Sequence, residues 1–269
     1  MKSYYILSLL FILILSSCRD SVTNPPANNV VSYKKVTIID SAGTRFELWN
    51  LGDSLLYAGY NEIGFKVFVN AAEQKTGFVK FTPTMHHQGG STHTTPVSNI
   101  FNYDEQKSMY TGYACFLMAS DSSTSFWFGD FNYNDEMIIK LRLFTVNFIP
   151  DFKMRFFVDT STMLLYSLTL ISPENPVIGS NEFKCIMHRQ DNRNVYWEVD
   201  SAEMSLRTWA NNKFDFNINI QNPVWIGGGR YQGIVDIPGT GKWVTNDSIK
   251  YQDHIITENP PPQFYFEIK

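Results

Sequence analysis

Gly59-Tyr60-Asn61-Glu62-Ile63, leading into Phe65-Lys66-Val67-Phe68, returns 120 residues later as Gly179-Ser180-Asn181-Glu182-Phe183, leading into Lys184-Cys185-Ile186-Met187. Either copy alone reads as a turn into a strand. Glycine supplies a positive φ, asparagine bonds its own backbone, and the apolar residues that follow suit a pleated, half-buried surface. The recurrence carries more. Thr95-Pro96-Val97 is echoed by Asn222-Pro223-Val224, Tyr110-Thr111-Gly112-Tyr113 by Tyr231-Gln232-Gly233-Ile234, and Phe126-Trp127-Phe128 by Lys242-Trp243-Val244. Four landmarks in one order, with offsets between 116 and 127, predict two copies of one β-sandwich of about 110–120 residues.

The chain around these landmarks agrees. Lys35–Ile39, Gly64–Val69, Phe78–Phe81 and Met137–Val146 are rich in β-branched and aromatic residues, and Gly, Asn, Asp and Pro interrupt such runs every 8–12 residues or so. No long stretch has helical periodicity. The expected fold class is all-β, with two tandem immunoglobulin-like β-sandwiches at 33–147 and 148–269, the second closed by an edge strand over Gln263–Lys269. Each landmark also has a plain structural role, the glycines in turns and the tryptophans between two sheets. Cys115 and Cys185 fall in strand-like runs of different repeats, which favours buried free thiols over a bridge.

The N-terminus reads differently. Lys2 precedes an apolar run from Ile6 to Leu15, which ends in Leu15-Ser16-Ser17-Cys18. This resembles the bacterial lipobox, in which the cysteine becomes the first residue of the mature chain and carries lipid. The apolar run is about half the roughly 20 residues a membrane-spanning helix needs. The reading is a signal peptide at 1–17, lipidation at Cys18 and a flexible tether over 18–32. The protein then sits in the bacterial cell envelope, attached to the membrane through its N-terminal lipid. Arg19 in place of Asp after the cysteine points, by the enteric sorting rule, to the outer membrane. A net charge of −4 with 18% charged residues offers no basic patch for nucleic acid.

In their order, the Gly-x-Asn-Glu segment, Pro83-Thr84-Met85-His86-His87 with His93-Thr94-Thr95-Pro96, the Tyr-x-Gly segment and Trp127 or Trp243 resemble the YtkA-like family of bacterial envelope domains. The resemblance covers Gly59 to about Asp130 and Gly179 to about Ile249. It implies an immunoglobulin-like extracytoplasmic binding module, often suspected of handling copper.

One segment carries chemistry of its own. His86, His87 and His93 lie within eight residues, beside Met85. If Gly89 and Gly90 form a two-residue primed turn, His86 faces His93 across the hairpin, close enough for two imidazoles to chelate a metal. His87 and Met85 then fall on the opposite face, and a three-residue loop changes the register. Imidazole suits Cu(II) or Zn(II), while a thioether favours Cu(I). The candidate metal set is therefore His86, His87, His93 and Met85, with copper or zinc as the ion and a metal donor or acceptor protein as partner.

The alternative is a polar hairpin without metal, in a structural or interaction lipoprotein whose sandwiches bind a protein or glycan through aromatics such as Tyr110, Tyr113, Trp209, Trp225 and Tyr231. The stretch of the second copy matching the hairpin, Leu206–Pro223, has neither His nor Met. No nucleophile elbow or His-Glu-x-x-His motif is present, so the chain is read as non-enzymatic. Glu198, Asp200 and Glu203 are read as solvent-facing charges, and Gly239-Thr240-Gly241-Lys242 as a turn.

Overall fold

The computed structural model describes residues 32–149, 153–210, 220–257 and 261–269. The lipobox, Cys18 and the tether up to Val31 lie outside them. The first half contains β1 (Tyr33–Ser41), β2 (Thr44–Leu51), β3 (Leu56–Tyr57), β4 (Gly59–Val69), β5 (Ala72–Gln74) and β6 (Phe78–His87). It continues with β7 (Thr92–Thr94), β8 (Phe101–Asp104), β9 (Met109–Phe116), β10 (Ser125–Tyr133), β11 (Glu136–Phe144) and β12 (Val146–Asn147). The second half contains β13 (Met154–Asp159), β14 (Leu164–Ser172), β15 (Gly179–Gln190), β16 (Tyr196–Glu198) and β17 (Glu203–Ala210). It ends with β18 (Ile220–Gly227), β19 (Arg230–Ile237), β20 (Gly241–Tyr251), β21 (His254–Ile255) and β22 (Gln263–Ile268).

Strand order shows the duplication. The first half runs β1-β2-β4-β9-β8 and then β6-β10-β11; the second runs β13-β14-β15-β19-β18, facing a layer in which β20 lies between β17 and β22. Even the short flanking strands match, with β5 on β4 and β16 on β15. The chain is all-β, two tandem immunoglobulin-like sandwiches. In the first, the pairs Phe78–Asn102 and Val79–Phe101 join the two layers into one hydrogen-bonded path.

The Gly-x-Asn segment is the same device in both halves. Gly59 and Gly179 have φ of 100° and 99°. The Asn61 side chain accepts from Tyr57 N and donates to Tyr57 O and Gly59 O; Asn181 does the same to Val177 and Gly179. This clip fixes where each central strand begins, and the pairing follows from it: Phe65 lies opposite Tyr110, Cys185 opposite Tyr231. Both tyrosines are buried and donate to a carbonyl upstream, Thr76 O and Val199 O. Trp127 and Trp243 donate indole N–H groups to Met118 O and Gly239 O, each at 2.9 Å.

The remaining landmark is a false echo. Val97 bridges Ala114, whereas Val224 pairs with Gln232, so Pro96 and Pro223 stand at different levels. Ile220, opposite Val235, is the counterpart of Val97.

Each sandwich has its own core. In the first, Phe46 and Phe65 from one layer meet Phe131 and Phe81 from the other at ring separations of 5.5–5.9 Å, a geometry that adds about 0.5–1.5 kcal/mol per pair beyond area burial. The second core gathers Phe183, Met204, Tyr231, Phe264 and Ile249. Cys115 and Cys185 are free and buried. The inner face of β20 carries Trp243, Thr245, Asp247 and Ile249, all buried. Neither carboxylate oxygen of Asp247 has a hydrogen-bond partner among the described residues, and burial holds this carboxyl well above the usual carboxylate range.

Asn61→Ala and Asn181→Ala each orphan backbone groups at the same corner, so each is expected to cost about 1–3 kcal/mol in urea unfolding; a neutral result at both sites would remove the clip from the account. Asp247 keeps its proton when folded, while the unfolded chain releases it near pH 4. Its stabilising contribution is full below about pH 4 and is lost as pH rises towards the folded-state value. The stability of Asp247→Asn relative to wild type should therefore climb as pH rises above about 4. A difference that stays flat with pH would mean an ionised carboxylate in the fold.

Candidate functional site

The histidine hairpin is formed by β6 and β7. Its connection has three residues: His87 N donates to Ser91 O, Gly90 N to His87 O, and only Gly90 of the two central glycines has positive φ, at 82°. A two-residue type I′ turn needs positive φ at both central positions. The register therefore shifts by one, and Met85 lies opposite His93 while His86 lies opposite Thr92. This corrects the expected pairing of His86 with His93.

His86 points to the other face, where its ring meets Phe128 edge-on at 4.8 Å. Met85, His87 and His93 share a face, with Trp127 and Ser125 beside them on β10. The rings of His87 and His93 lie 5.2 Å apart, and His93 stands perpendicular to Trp127 at 5.6 Å.

Each of these two imidazoles is held through Nδ1. His93 Nδ1 lies 3.0 Å from Thr94 O, and His87 Nδ1 lies 2.9 Å from Ser125 Oγ. A carbonyl can only accept, so His93 carries its proton on Nδ1 and its lone pair on Nε2. Burial, with the nearby His87 as a smaller cause, pushes the His93 pKa down and favours the neutral ring. Met85, opposite His93, is fully buried. Among the described residues no three His, Cys, Asp or Glu side chains converge. What the hairpin offers is two imidazoles and a thioether on one face. The part of the second copy that matches this hairpin includes 211–219, outside the described residues.

A second polar cluster, which no sequence motif marks, lies where the two sandwiches meet. Tyr113 Oη on β9 lies 2.8 Å from His188 Nε2 on β15 and 2.7 Å from Glu198 Oε1 on β16. The phenol has one proton and the carboxylate only accepts, so Tyr113 donates to Glu198 and accepts from His188. His188 is buried, its Nδ1 has no partner among the described residues, and desolvation followed by the Arg230 charge lowers its pKa to about 3. The Arg230 guanidinium sits 5.0 Å above the Tyr113 ring. Met154, Ile186 and Cys115 pack around this knot, and burial pushes the Cys115 thiol up to about 12. Thr94 Oγ1 donates to Asn194 O at 2.6 Å, so the second sandwich also braces the strand that carries His93.

The acidic residues read as solvent-facing go three ways. Glu198 joins the seam, Asp200 accepts from Trp225 Nε1 and Gly229 N, and Glu203 lies 3.5 Å from Lys250 on the surface. Of the aromatics expected to line a binding surface, Tyr110, Tyr113 and Tyr231 are buried, and Trp225 is exposed.

No family model matches this sequence, and no curated protein does. Among solved structures, the chain is similar to the Escherichia coli adhesin FdeC, at 9% identity over 87% of this chain and 66% of that one, with a TM-score of 0.28. It is also similar to invasin, a bacterial integrin-binding protein, at 10% identity over 83% of this chain and 39% of that one, with a TM-score of 0.26. Domains 5–6 of the S-layer protein SbsC match at 11% identity over 88% of this chain and 98% of that one, with a TM-score of 0.27. The chain thus spans less than two thirds of the adhesin and under half of the invasin. At these scores the fold rests on the strand pairing described above.

Tyr113→Phe tests the seam. It leaves Glu198 and the buried His188 without their shared partner, and a loss of about 1–3 kcal/mol in urea unfolding is expected. Unchanged stability would mean that the seam is held by its apolar contacts alone.

Proposed function

We propose that this chain is a non-enzymatic protein of the bacterial cell envelope, anchored by lipid on Cys18, whose first sandwich binds a copper or zinc ion through His87 and His93. The anchoring reading is supported by the sequence Leu15-Ser16-Ser17-Cys18. The observation that carries the metal reading is the pair of imidazoles 5.2 Å apart, each engaged by the protein through Nδ1. Metal-bound histidines are commonly oriented in this way, with the second ring nitrogen on a carbonyl or similar group.

Two imidazoles suit Cu(II) or Zn(II), and a thioether such as that of Met85, on the same face, favours Cu(I). With only two or three protein ligands, coordination positions stay open, and a donor or acceptor protein exchanges the ion through them. The depressed pKa of His93 moves proton competition at that ring below the ordinary imidazole value of about 6.5. A second reading, an interaction protein, is favoured by one observation: Val224, Trp225 and Ile226 on the edge strand β18 are exposed in sequence.

Calorimetric titration of the chain from Arg19 onward with Cu(II), Zn(II) and, under reducing conditions, Cu(I) separates the readings. One ion per chain is expected, with His87→Ala and His93→Ala each weakening it about 10–100-fold and His86→Ala leaving it unchanged. Retention of metal by His93→Ala, or its loss in His86→Ala alone, would overturn the assignment.

A further inference from the structure

The two sandwiches differ at one equivalent place. In the first, the short strand β3 is covered by β12, which runs parallel to it, Val146 beside Leu56 and Asn147 beside Tyr57. Ala58 N donates to Asn147 O, and Asn147 Nδ2 donates to Leu56 O, both at 3.0 Å. Leu56, Ala58 and Val146 are buried beneath this contact.

The asparagine clips set the equivalence. Leu56, Tyr57 and Ala58 precede Gly59 and Asn61 as Pro176, Val177 and Ile178 precede Gly179 and Asn181. The pairs Trp127–Phe144 and Trp243–Phe266 likewise make Val146 the counterpart of Ile268. In the first copy the chain leaves β10 after Phe144 and crosses to β3. In the second, Ile268 stays paired with Gly241 on β20. No described strand lies along 176–178. Val177 and Ile178 are 57% and 55% exposed, and a groove of about 940 Å³ opens beside them, bordered by Trp243, Tyr265, Phe266 and Ile268.

We propose that this groove receives an extended peptide segment of a partner protein, which adds as a parallel strand along 176–178 as Val146-Asn147 does along 56–58. The first copy defines the chemistry of that segment: a β-branched apolar residue against the groove floor, followed by a residue with a side-chain amide. Its main-chain carbonyl accepts from Ile178 N, and its amide donates to Pro176 O. Neither group has a partner among the described residues. Main-chain pairing supplies affinity and the side-chain pattern supplies selectivity, as in other strand additions. The proposal is independent of the metal reading, because the groove and the histidine hairpin share no residue.

The test is amide exchange by NMR on the full chain, with a synthetic peptide copying Leu143–Phe148 (Leu-Phe-Thr-Val-Asn-Phe) as probe. At about 1 mM peptide, exchange at Ile178 N is expected to slow by about tenfold or more. A peptide with Leu in place of its Asn should protect less. Val177→Asp should abolish the protection, while the amides of β15 stay protected as evidence of folding. Absence of peptide-induced protection would overturn the proposal. So would protection already present without peptide: if independent of protein concentration it assigns the groove to a segment of the same chain, and if it rises with concentration it assigns it to a second copy.

Discussion

One side-chain amide bonded to three backbone groups sets the geometry of each sandwich. Asn61 and Asn181 stand at the start of the central strands β4 and β15, where the chain turns in from a loop through a positive-φ glycine. A shift of one residue in either strand would move every inward side chain to the outer face. The clip prevents that shift by making the first residues of the strand satisfy their own loop. The strands on either side then inherit the register, which places Tyr110 and Tyr231 in matching buried positions with matching acceptors. Packing does the rest, through aromatic contacts between layers in the first copy and a core of aromatic, aliphatic and sulfur-containing side chains in the second.

The seam ties the second copy to the histidine hairpin of the first. His93 lies on β7, a strand of three residues that, among the described residues, pairs only with β6. The Thr94 hydroxyl reaches the second sandwich, and the Thr94 carbonyl holds the His93 ring. The second sandwich thus stiffens the edge that presents the imidazole. It is itself held through Tyr113, whose hydroxyl satisfies groups from two strands of the other half.

The duplication was legible because its devices are local: glycine, asparagine, tyrosine and tryptophan at fixed places in short segments. Features that depend on one residue of register were not. Gly89-Gly90 looks like a two-residue turn, and only the backbone shows that Gly90 alone is left-handed, which brings His87 instead of His86 beside His93. Pro96 and Pro223 look equivalent because proline follows a polar residue in both, yet their neighbours pair at different levels. The seam left no trace in the sequence. Tyr113 reads as part of a strand landmark and Glu198 as a solvent charge, and no motif includes His188; their meeting depends on how one sandwich is set against the other.

That seam is also asymmetric. The face of β9 around Tyr113 meets the end of β15 and β16 around His188 and Glu198. The corresponding face of the second copy centres on Ile234 of β19, which is 41% exposed, and the corresponding end of the first copy carries Phe68 and Glu73. A two-fold contact would have used the same face of both copies and closed on itself. A head-to-tail contact of this kind is the arrangement from which strings of repeats are built. In evolutionary terms the duplication produced a directional joint, with Ile234 standing where the first copy has the Tyr113 hydroxyl that ties His188 to Glu198.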